Sequence, residues 1–349
     1  MKTFLKLKDA LFSNWHITFL TICSLITSFY IIYEISLWSI INATFINDFQ
    51  ICKDNFNIGA CWGFVYEKWE TIFYSQYPTH ISFRPILSSL ILILPLLYIV
   101  IKKKFDISTF FILLVSCILS YFIMAGGFFF LENVDTRYFG GIFLTLFIGV
   151  FSNILGLPLA LLLAFSRNSN NIFVRYSSAI FVEIFRGLPL IATLFVFVII
   201  FPLITQDSIN LDMFFIICIA FVFLNAAYLS EILRSGINSI PSNQIHSAKS
   251  LNFSKYQIIC NIILPQVFVK MFTPLVNQFV SIMKESTLVS VVGMFDLLGS
   301  LNLALGDSQW RIFYIEGIIF VAAIYWLFCK ILLIYADRVS EKFYKEYRL

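Results

Sequence analysis

The chain has 349 residues, of which 60% are apolar and only 13% are charged, and its formal net charge at pH 7 is +4. Soluble domains contain roughly 25% charged residues, and a soluble protein with this composition would expose large apolar patches and aggregate. The composition therefore excludes a soluble enzyme, a nucleic-acid-binding domain and a disordered chain. Seven cysteines in 349 residues are too few for a disulfide scaffold.

Apolar runs long enough to cross a bilayer recur along the chain. A transmembrane helix needs roughly 20 mostly apolar residues to cross a hydrocarbon core of about 30 Å. The runs do not alternate between apolar and polar residues as β-barrel strands do, so the sequence predicts an all-α integral membrane protein. Eight spans are predicted, at residues 16–41, 85–101, 107–130, 138–165, 176–204, 212–233, 266–298 and 313–336.

The distribution of Lys and Arg predicts how these spans are oriented. With the N-terminus placed in the cytoplasm, seventeen of these residues fall in inside segments and five in outside segments. Inside loops carry the excess of positive charge, so both termini are predicted to be cytoplasmic. The first apolar run is longer than the core of a signal peptide and no A-x-A site follows it, which favours an uncleaved span.

Embedded charges divide the chain into two regions. Residues 1–130 hold three spans with few polar groups and an outside loop at 42–84, whereas residues 131–349 hold five spans and most of the embedded charges. The second region is therefore predicted to be the working part. Cys52 and Cys61 lie in the outside loop, where they either form a disulfide in an oxidising periplasm or remain free thiols.

Motifs that carry phosphate, zinc or acyl chemistry are absent from the sequence. It contains no G-x-x-x-x-G-K-[ST], no H-E-x-x-H, no Cys/His pair with zinc spacing and no G-x-S-x-G. The chain is therefore predicted to have no catalytic residue, no metal and no cofactor of its own.

The inside segment 235–265 is the most informative stretch of the sequence. Pro241 fits the first position of a short helix over 242–251, because its missing N–H would be unsatisfied there in any case. Asn252 tolerates the left-handed conformation that ends a helix. Ser254 is predicted to cap a second short helix that starts at about residue 255.

These two short helices are predicted to form a hairpin that ends before Pro265 opens the next span. Neither helix is long enough to span the membrane, so its apolar residues need another surface, either lipid or another protein, to cover them. The apolar residues concerned are Ile245, Leu251, Phe253, Tyr256 and Ile258.

The segment resembles the cytoplasmic signature loop of ABC importer permeases. In that pattern a Glu-Ala-Ala triplet, which falls here on residues 246–248, is followed by Gly and then by Ile-x-Leu-Pro at fixed spacing. The spacing holds, with His246 in place of Glu and Asn252 in place of Gly. The resemblance implies a coupling helix that docks in a cleft of a cytoplasmic ATPase. The residues it assigns to coupling are Pro241, His246, Ser247, Ala248, Asn252, Phe253, Ile262, Leu264 and Pro265.

Further stretches are similar to the permeases of polar amino acid importers. They are residues 138–146, the R-G-x-P signature within 183–190, residues 226–236, and Asn277 with 284–293. The three additional N-terminal spans and the outside residues Ala60, Cys61 and Trp62 resemble the larger membrane subunit of general L-amino acid importers.

This resemblance implies a five-helix permease core preceded by three spans, in the bacterial inner membrane. The chain would be the permease subunit of an ATP-driven importer for polar L-amino acids. Its implied partners are a cytoplasmic ATPase dimer that binds ATP and Mg, a second permease that is identical or a paralogue, a periplasmic amino-acid-binding protein and the lipid bilayer.

Two other functions remain open at this point. An ion-gradient-driven secondary transporter of small polar solutes would explain the spans and the buried charges, but it leaves the coupling segment unexplained. The second alternative is a structural or assembly subunit that transports no solute.

Charged residues within spans mark candidate positions on the transport path, because they are costly in hydrocarbon and face a cavity or a partner. Glu183 and Arg186 lie at i and i+3 on one helix face and could pair. Gly187 and Pro189 are predicted to break that helix, either around a path or as a kink held by a buried ion pair without ligand contact.

A second predicted break lies at Lys284 and Glu285, roughly 27 Å along the helix from Pro265. Residues 286–298 would then form a separate short helix of the kind that transporters place around substrate. The two side chains would meet the carboxylate and ammonium of an amino acid, or would serve structure or gating. The full set of path or gating candidates is Glu183, Arg186, Gly187, Pro189, Glu231, Asn277, Lys284 and Glu285.

Overall fold

The computed structural model describes residues 11–102, 107–127, 131–205 and 211–347. These residues form helices joined by short turns, with two isolated β-bridges. The α-helices in chain order are α1 (Trp15–Ser36), α2 (Phe49–Asp54), α3 (Gly63–Tyr74), α4 (Phe83–Lys102), α5 (Ile107–Ala125), α6 (Gly141–Arg167), α7 (Ile172–Gly187), α8 (Leu190–Phe195), α9 (Phe201–Thr205), α10 (Met213–Asn238), α11 (Ser242–Ser250), α12 (Lys255–Ile258), α13 (Leu264–Glu285), α14 (Leu297–Ala304) and α15 (Tyr314–Tyr347).

The helices confirm the predicted all-α membrane architecture. Within the described ranges, six helical segments are long and apolar enough to cross a membrane, or seven if the bent pair Ile172–Gly187 and Leu190–Ile204 is one span. Phe83–Ile99 is apolar but shorter. The predicted count of eight is therefore not confirmed. The six segments are Trp15–Ile41, Ser108–Ala125, Gly141–Arg167, Met213–Asn238, Lys255–Val292 and Trp310–Glu341.

Packing divides the chain into two compact units. The first comprises the described residues of Met1–Trp69 and Leu305–Ile319, and the second comprises those of Glu70–Ala304 and Phe320–Leu349. The predicted division after residue 130 separates regions by their role in the membrane, and it stays a prediction.

The first unit contains a disulfide between Cys52 and Cys61, whose Cα atoms lie 5.5 Å apart. The structure therefore has the disulfide rather than two free thiols at these positions. The backbone N–H of Cys61 donates to the Glu316 carboxylate at 2.9 Å. Lys68 and Asp307 form an ion pair at 2.7 Å, and the hydrogen bond from this ammonium holds the pKa of the Asp307 carboxyl below its usual range.

The second unit is built around α6 and α10, which pack against each other more extensively than any other pair of described helices. Gly156 of α6 lies so close to Asn225 and Ala226 of α10 that a Cβ there would sit 3.4–3.5 Å from them. Small residues allow such close approach between membrane helices. Helices α4 and α5 pack on each other and on α6, while α13 packs on α10. This bundle holds the predicted coupling segment and most of the embedded charges.

Candidate functional site: the coupling hairpin and the charged helix ends

The predicted coupling segment forms a hairpin at the end of α10. Helix α11 spans Ser242–Ser250, one residue shorter than predicted. The placement of Pro241 at the first helical position is wrong, because its ψ of 132° is extended and makes it the N-cap instead. Ser242, rather than Pro241, is therefore the first helical residue, one position later than predicted.

The turn of the hairpin has the predicted caps. Asn252 has a φ of +60°, the left-handed conformation expected of it. The Ser254 hydroxyl accepts a hydrogen bond from the Gln257 N–H at 3.3 Å, and the Gln257 side-chain oxygen accepts one from the Ser254 N–H at 2.8 Å. This reciprocal capping box starts α12 where the sequence predicts it.

Helix α12 starts where the sequence predicts it, but it is not separated from the next span, so the prediction of two distinct elements before and after Pro265 is wrong. A π-helical turn at Ile259–Ile263 joins α12 directly to α13. Proline has no N–H to donate and its ring clashes with the carbonyl four residues earlier in an α-helix. The π turn, in which the Leu264 N–H donates to the Ile259 carbonyl five residues earlier, comes directly before Pro265, which lies in the first turn of α13. The hairpin therefore continues into a membrane helix.

The hairpin has one face in the bundle and one face exposed. Ala248 and Ile258 are buried in an apolar cluster that includes Leu229 and Leu233 of α10. The exposed apolar side chains are Leu251 (73% exposed), Tyr256 (76%) and Phe253 (39%). Among the other predicted coupling residues, Pro241, His246, Ser247 and Asn252 are exposed, and Ile262, Leu264 and Pro265 are half-buried.

The left-handed residue of the turn supports a first prediction. Asn252→Val is expected to destabilise the hairpin by about 1–2 kcal/mol, because a β-branched residue is strained at positive φ. Asn252→Gly is the matched control and is expected to be at least as stable as the native chain, because glycine adopts this conformation freely. Limited proteolysis at the turn measures the difference, and equal cleavage of the two variants would contradict the prediction.

The predicted break in the helix with the R-G-x-P signature is confirmed. Helix α7 ends at Gly187, Leu188 is extended, and Pro189 caps α8, which leaves α7 at a bend of 110°. A Cβ on Gly187 would have no atom within 4 Å, so the bend borders open space. Pro189 cannot continue α7 because it lacks an N–H.

The predicted pairing of Glu183 with Arg186 is not observed. Arg186 lies 3.7 Å from the Glu231 carboxylate and stacks over the Tyr228 ring at 5.7 Å from its centroid. Glu183 is exposed and has no ion pair among the described residues. The half-buried Glu231 is the carboxylate that Arg186 reaches.

Glu231 is also bound by two arginines that the sequence analysis did not single out. Arg234 donates to both carboxylate oxygens, at 3.0 and 3.3 Å, and Arg167 at the end of α6 donates to one of them. The i,i+3 spacing of Glu231 and Arg234 was a readable signal. Arg167 lies 64 residues away in sequence, and local spacing gives no signal for it.

The second predicted break is present at Glu285, where α13 ends. The following residues form a 3₁₀ turn at Ser286–Val292 and a separate helix α14, rather than the predicted helix over 286–298. Lys284 is exposed and Glu285 is half-buried. Adjacent helical residues point in different directions, and the two side chains form no ion pair in the described chain. Asn277 is exposed on the same face as Lys284, two turns earlier.

A buried carboxylate near this break was missed by the sequence analysis. Asp296 is fully buried and accepts hydrogen bonds from the Tyr325 hydroxyl at 2.8 Å, the Ser286 hydroxyl at 3.1 Å, the Gly299 N–H at 2.9 Å and Thr145 at 3.5 Å. It joins α6, the end of α13, α14 and α15. Its position as an acidic residue inside the predicted span 266–298 was the sequence signal that could have identified it.

Comparison with known proteins places the chain among transport components. Residues 156–344 match the family described as binding-protein-dependent transport system inner membrane component. The chain is 31% identical over 336 residues to the inner membrane amino-acid ABC transporter permease protein YhdY of Escherichia coli K12, covering 95% of this chain and 91% of that protein.

Two further similarities agree with this placement. The chain is 34% identical over 219 residues to the glutamate/glutamine/aspartate/asparagine transport system permease protein BztC of Rhodobacter capsulatus, covering 62% of this chain and 50% of that one. A crystal structure of an amino acid ABC transporter with histidines aligns with a TM-score of 0.50 and 26% identity, over 60% of this chain and 92% of that one. The chain belongs to the binding-protein-dependent inner membrane components and is a multi-pass permease subunit of the ABC importer class, as its motifs predicted.

Proposed function

We propose that the chain is the permease subunit of an ATP-driven importer for polar L-amino acids. The named relatives are amino acid permeases, and YhdY aligns with almost the whole chain. The observation that carries the coupling role is the hairpin after Pro241, whose outer face exposes Leu251 and Tyr256. Exposed apolar side chains on a short polar hairpin need a partner surface.

The partner of this hairpin is a cytoplasmic ATPase that binds ATP and Mg, and it acts as a dimer beneath two permeases. Ala248 and Ile258 anchor the hairpin in the same apolar cluster as Leu229 and Leu233 of α10. A force applied to the exposed face is therefore passed to a membrane helix. Nucleotide binding to the ATPase would shift the bundle between outward and inward states by its differential affinity for them.

The orientation follows from the excess of Lys and Arg on one side, with both termini cytoplasmic. The disulfide between Cys52 and Cys61 supports this orientation, because the loop that carries it then faces an oxidising periplasm. A periplasmic amino-acid-binding protein delivers substrate on that side, and a second permease, identical or a paralogue, completes the path.

The bend at Gly187 and the exposed face of α13 supply the candidates for the path. Gly187 borders open space at the bend and Glu183 is exposed one turn before it, while Asn277 and Lys284 share an exposed helix face. Polar groups at membrane depth face a cavity or a partner, so these side chains are assigned to the path or to the face that meets the second permease.

The coupling role is tested by placing charges on the exposed face. The double variant L251D/Y256D is expected to lose co-purification of the ATPase and ATP-dependent uptake, because it buries two carboxylates in the interface. The matched control L251M/Y256F keeps the apolar surface and is expected to retain both. Thermal unfolding of the permease should be unchanged in either variant, since both side chains are exposed.

The outcomes that contradict the proposal are distinct. An L251D/Y256D permease that still holds its ATPase and transports at the native rate would refute the coupling role of this face. Uptake that persists without ATP and collapses with an ionophore would instead identify an ion-driven secondary transporter.

A further inference from the structure

The carboxylate of Glu231 is shared by guanidinium groups from three helices. Arg167 ends α6, Arg186 is the penultimate residue of α7, and Arg234 lies on α10 with Glu231 itself. The three ion pairs differ in the distance between nitrogen and oxygen and in the exposure of the arginine side chain. By these two measures, two of the arginines are fixed partners of Glu231 and the third can be released.

Arg234 and Arg167 are the fixed partners. Arg234 binds both carboxylate oxygens, and Arg167 donates a hydrogen bond from a side chain that is only 16% exposed. Arg186 is 3.7 Å from the carboxylate and its side chain is 44% exposed. Charge-assisted bonds with two donors are the strong ones, so Arg186 can separate while the others keep Glu231 in place.

Arg186 is also the last charged side chain before the bend between α7 and α8. The bend passes through Gly187, which has open space around it, and Leu188, which is extended. Backbone outside a helix can change its dihedral angles without breaking helical hydrogen bonds, which is how hinges accommodate movement. The Arg186 contact therefore sets where this hinge sits against α10.

Glu231 stands on the helix that leads into the coupling hairpin. It lies seven residues before Asn238, roughly 10 Å along α10. Its neighbours Leu229 and Leu233 are buried in the cluster that also holds Ala248 and Ile258 of the hairpin. A displacement of the hairpin consequently reaches Glu231 through close-packed side chains.

We propose that Glu231 is a positioning residue that holds the bend after α7 in place through Arg186. Movement of the docked hairpin shifts Glu231 and thereby changes or releases the Arg186 contact at the bend. The inference rests on the proposed function, because it requires an ATPase that moves the hairpin. It assigns neither Glu231 nor Arg186 a contact with substrate.

The test compares two variants of the complete transporter in proteoliposomes. R186Q and R234Q each remove one guanidinium from Glu231, but only Arg186 lies beside the bend. R186Q is expected to lower the amino acid imported per ATP hydrolysed by about tenfold, a size typical of coupling between sites, while R234Q changes it by less than about threefold. R186K keeps the cation and is expected to recover most of the ratio.

A labelling measurement separates this role from a merely structural one. In a background with the five free cysteines replaced, L188C is labelled with a maleimide, with and without vanadate-trapped nucleotide. The rate is expected to depend on nucleotide in the parent and in R234Q but not in R186Q. Equal transport ratios in R186Q and R234Q, or nucleotide-dependent labelling retained in R186Q, would overturn this inference alone. Absence of ATP-dependent uptake by the unsubstituted transporter would overturn the proposed function with it.

Discussion

Asp296→Ala is expected to destabilise the helical bundle by at least about 2 kcal/mol, since the Tyr325 hydroxyl and the Gly299 N–H lose their acceptor and each buried donor left without one costs about 1–3 kcal/mol. The Ser286 and Thr145 hydroxyls can still donate to the backbone carbonyls of Met283 and Gly141. The Asp296 carboxylate accepts from three hydroxyl groups and one backbone N–H, and it is fully buried. The expected readout is a large fall in the thermal unfolding midpoint of the purified permease in detergent, with loss of uptake.

The control for this variant is Asp296→Asn, which keeps the shape and one acceptor oxygen. It is expected to retain a larger share of the stability, because the Tyr325 hydroxyl or the Gly299 N–H still finds a partner. An alanine variant as stable as the native protein would show that these donors find other acceptors, and that Asp296 does not hold α6, α14 and α15 together.

Gly141→Ala at the start of α6 is the other substitution with a large expected effect. Gly141 has a φ of +63°, and a Cβ there would overlap the carbonyl oxygen of Phe73. The left-handed conformation alone costs an L-residue about 1–2 kcal/mol, and the clash with backbone adds to it. We expect little folded protein in the membrane, measured by the yield that remains monodisperse in detergent.

Gly156→Ala, in the same helix, is the matched control for this substitution. A Cβ at Gly156 would meet its nearest atoms at 3.4–3.6 Å, which is ordinary contact, and its φ is helical. Native yield from Gly156→Ala together with native yield from Gly141→Ala would contradict the argument from backbone conformation.

In the hairpin after Pro241, the sequence predicts the local capping interactions correctly. Asn252 and Ser254 act on backbone groups within four residues of themselves, so their capping roles follow from residue type and order alone. The break at Pro189 follows for the same reason. By contrast, the passage of the chain through Pro265 depended on a π turn whose widened hydrogen bonding leaves no mark in residue spacing.

The residues that pair with the embedded charges could not be predicted from the spacing of residues along the sequence. Arg186 pairs with a carboxylate 45 residues later in sequence rather than with Glu183 one turn away. Asp296 is satisfied by Thr145 and Tyr325, which lie on helices far apart in the chain. Such contacts arise only when the helices are packed, and periodicity within one helix does not determine them.

Helix α1 contains no buried residue at all. Apart from the half-buried Thr18, Thr21, Cys23 and Ser36, the side chains of this helix are exposed in the described chain, and what the bilayer requires of exposed side chains is hydrophobicity. Exchanging one exposed aliphatic side chain for another along Trp15–Ser36 should therefore leave the isolated permease unaltered. Any position at which such an exchange impairs the living cell would thus reveal a contact with a different polypeptide.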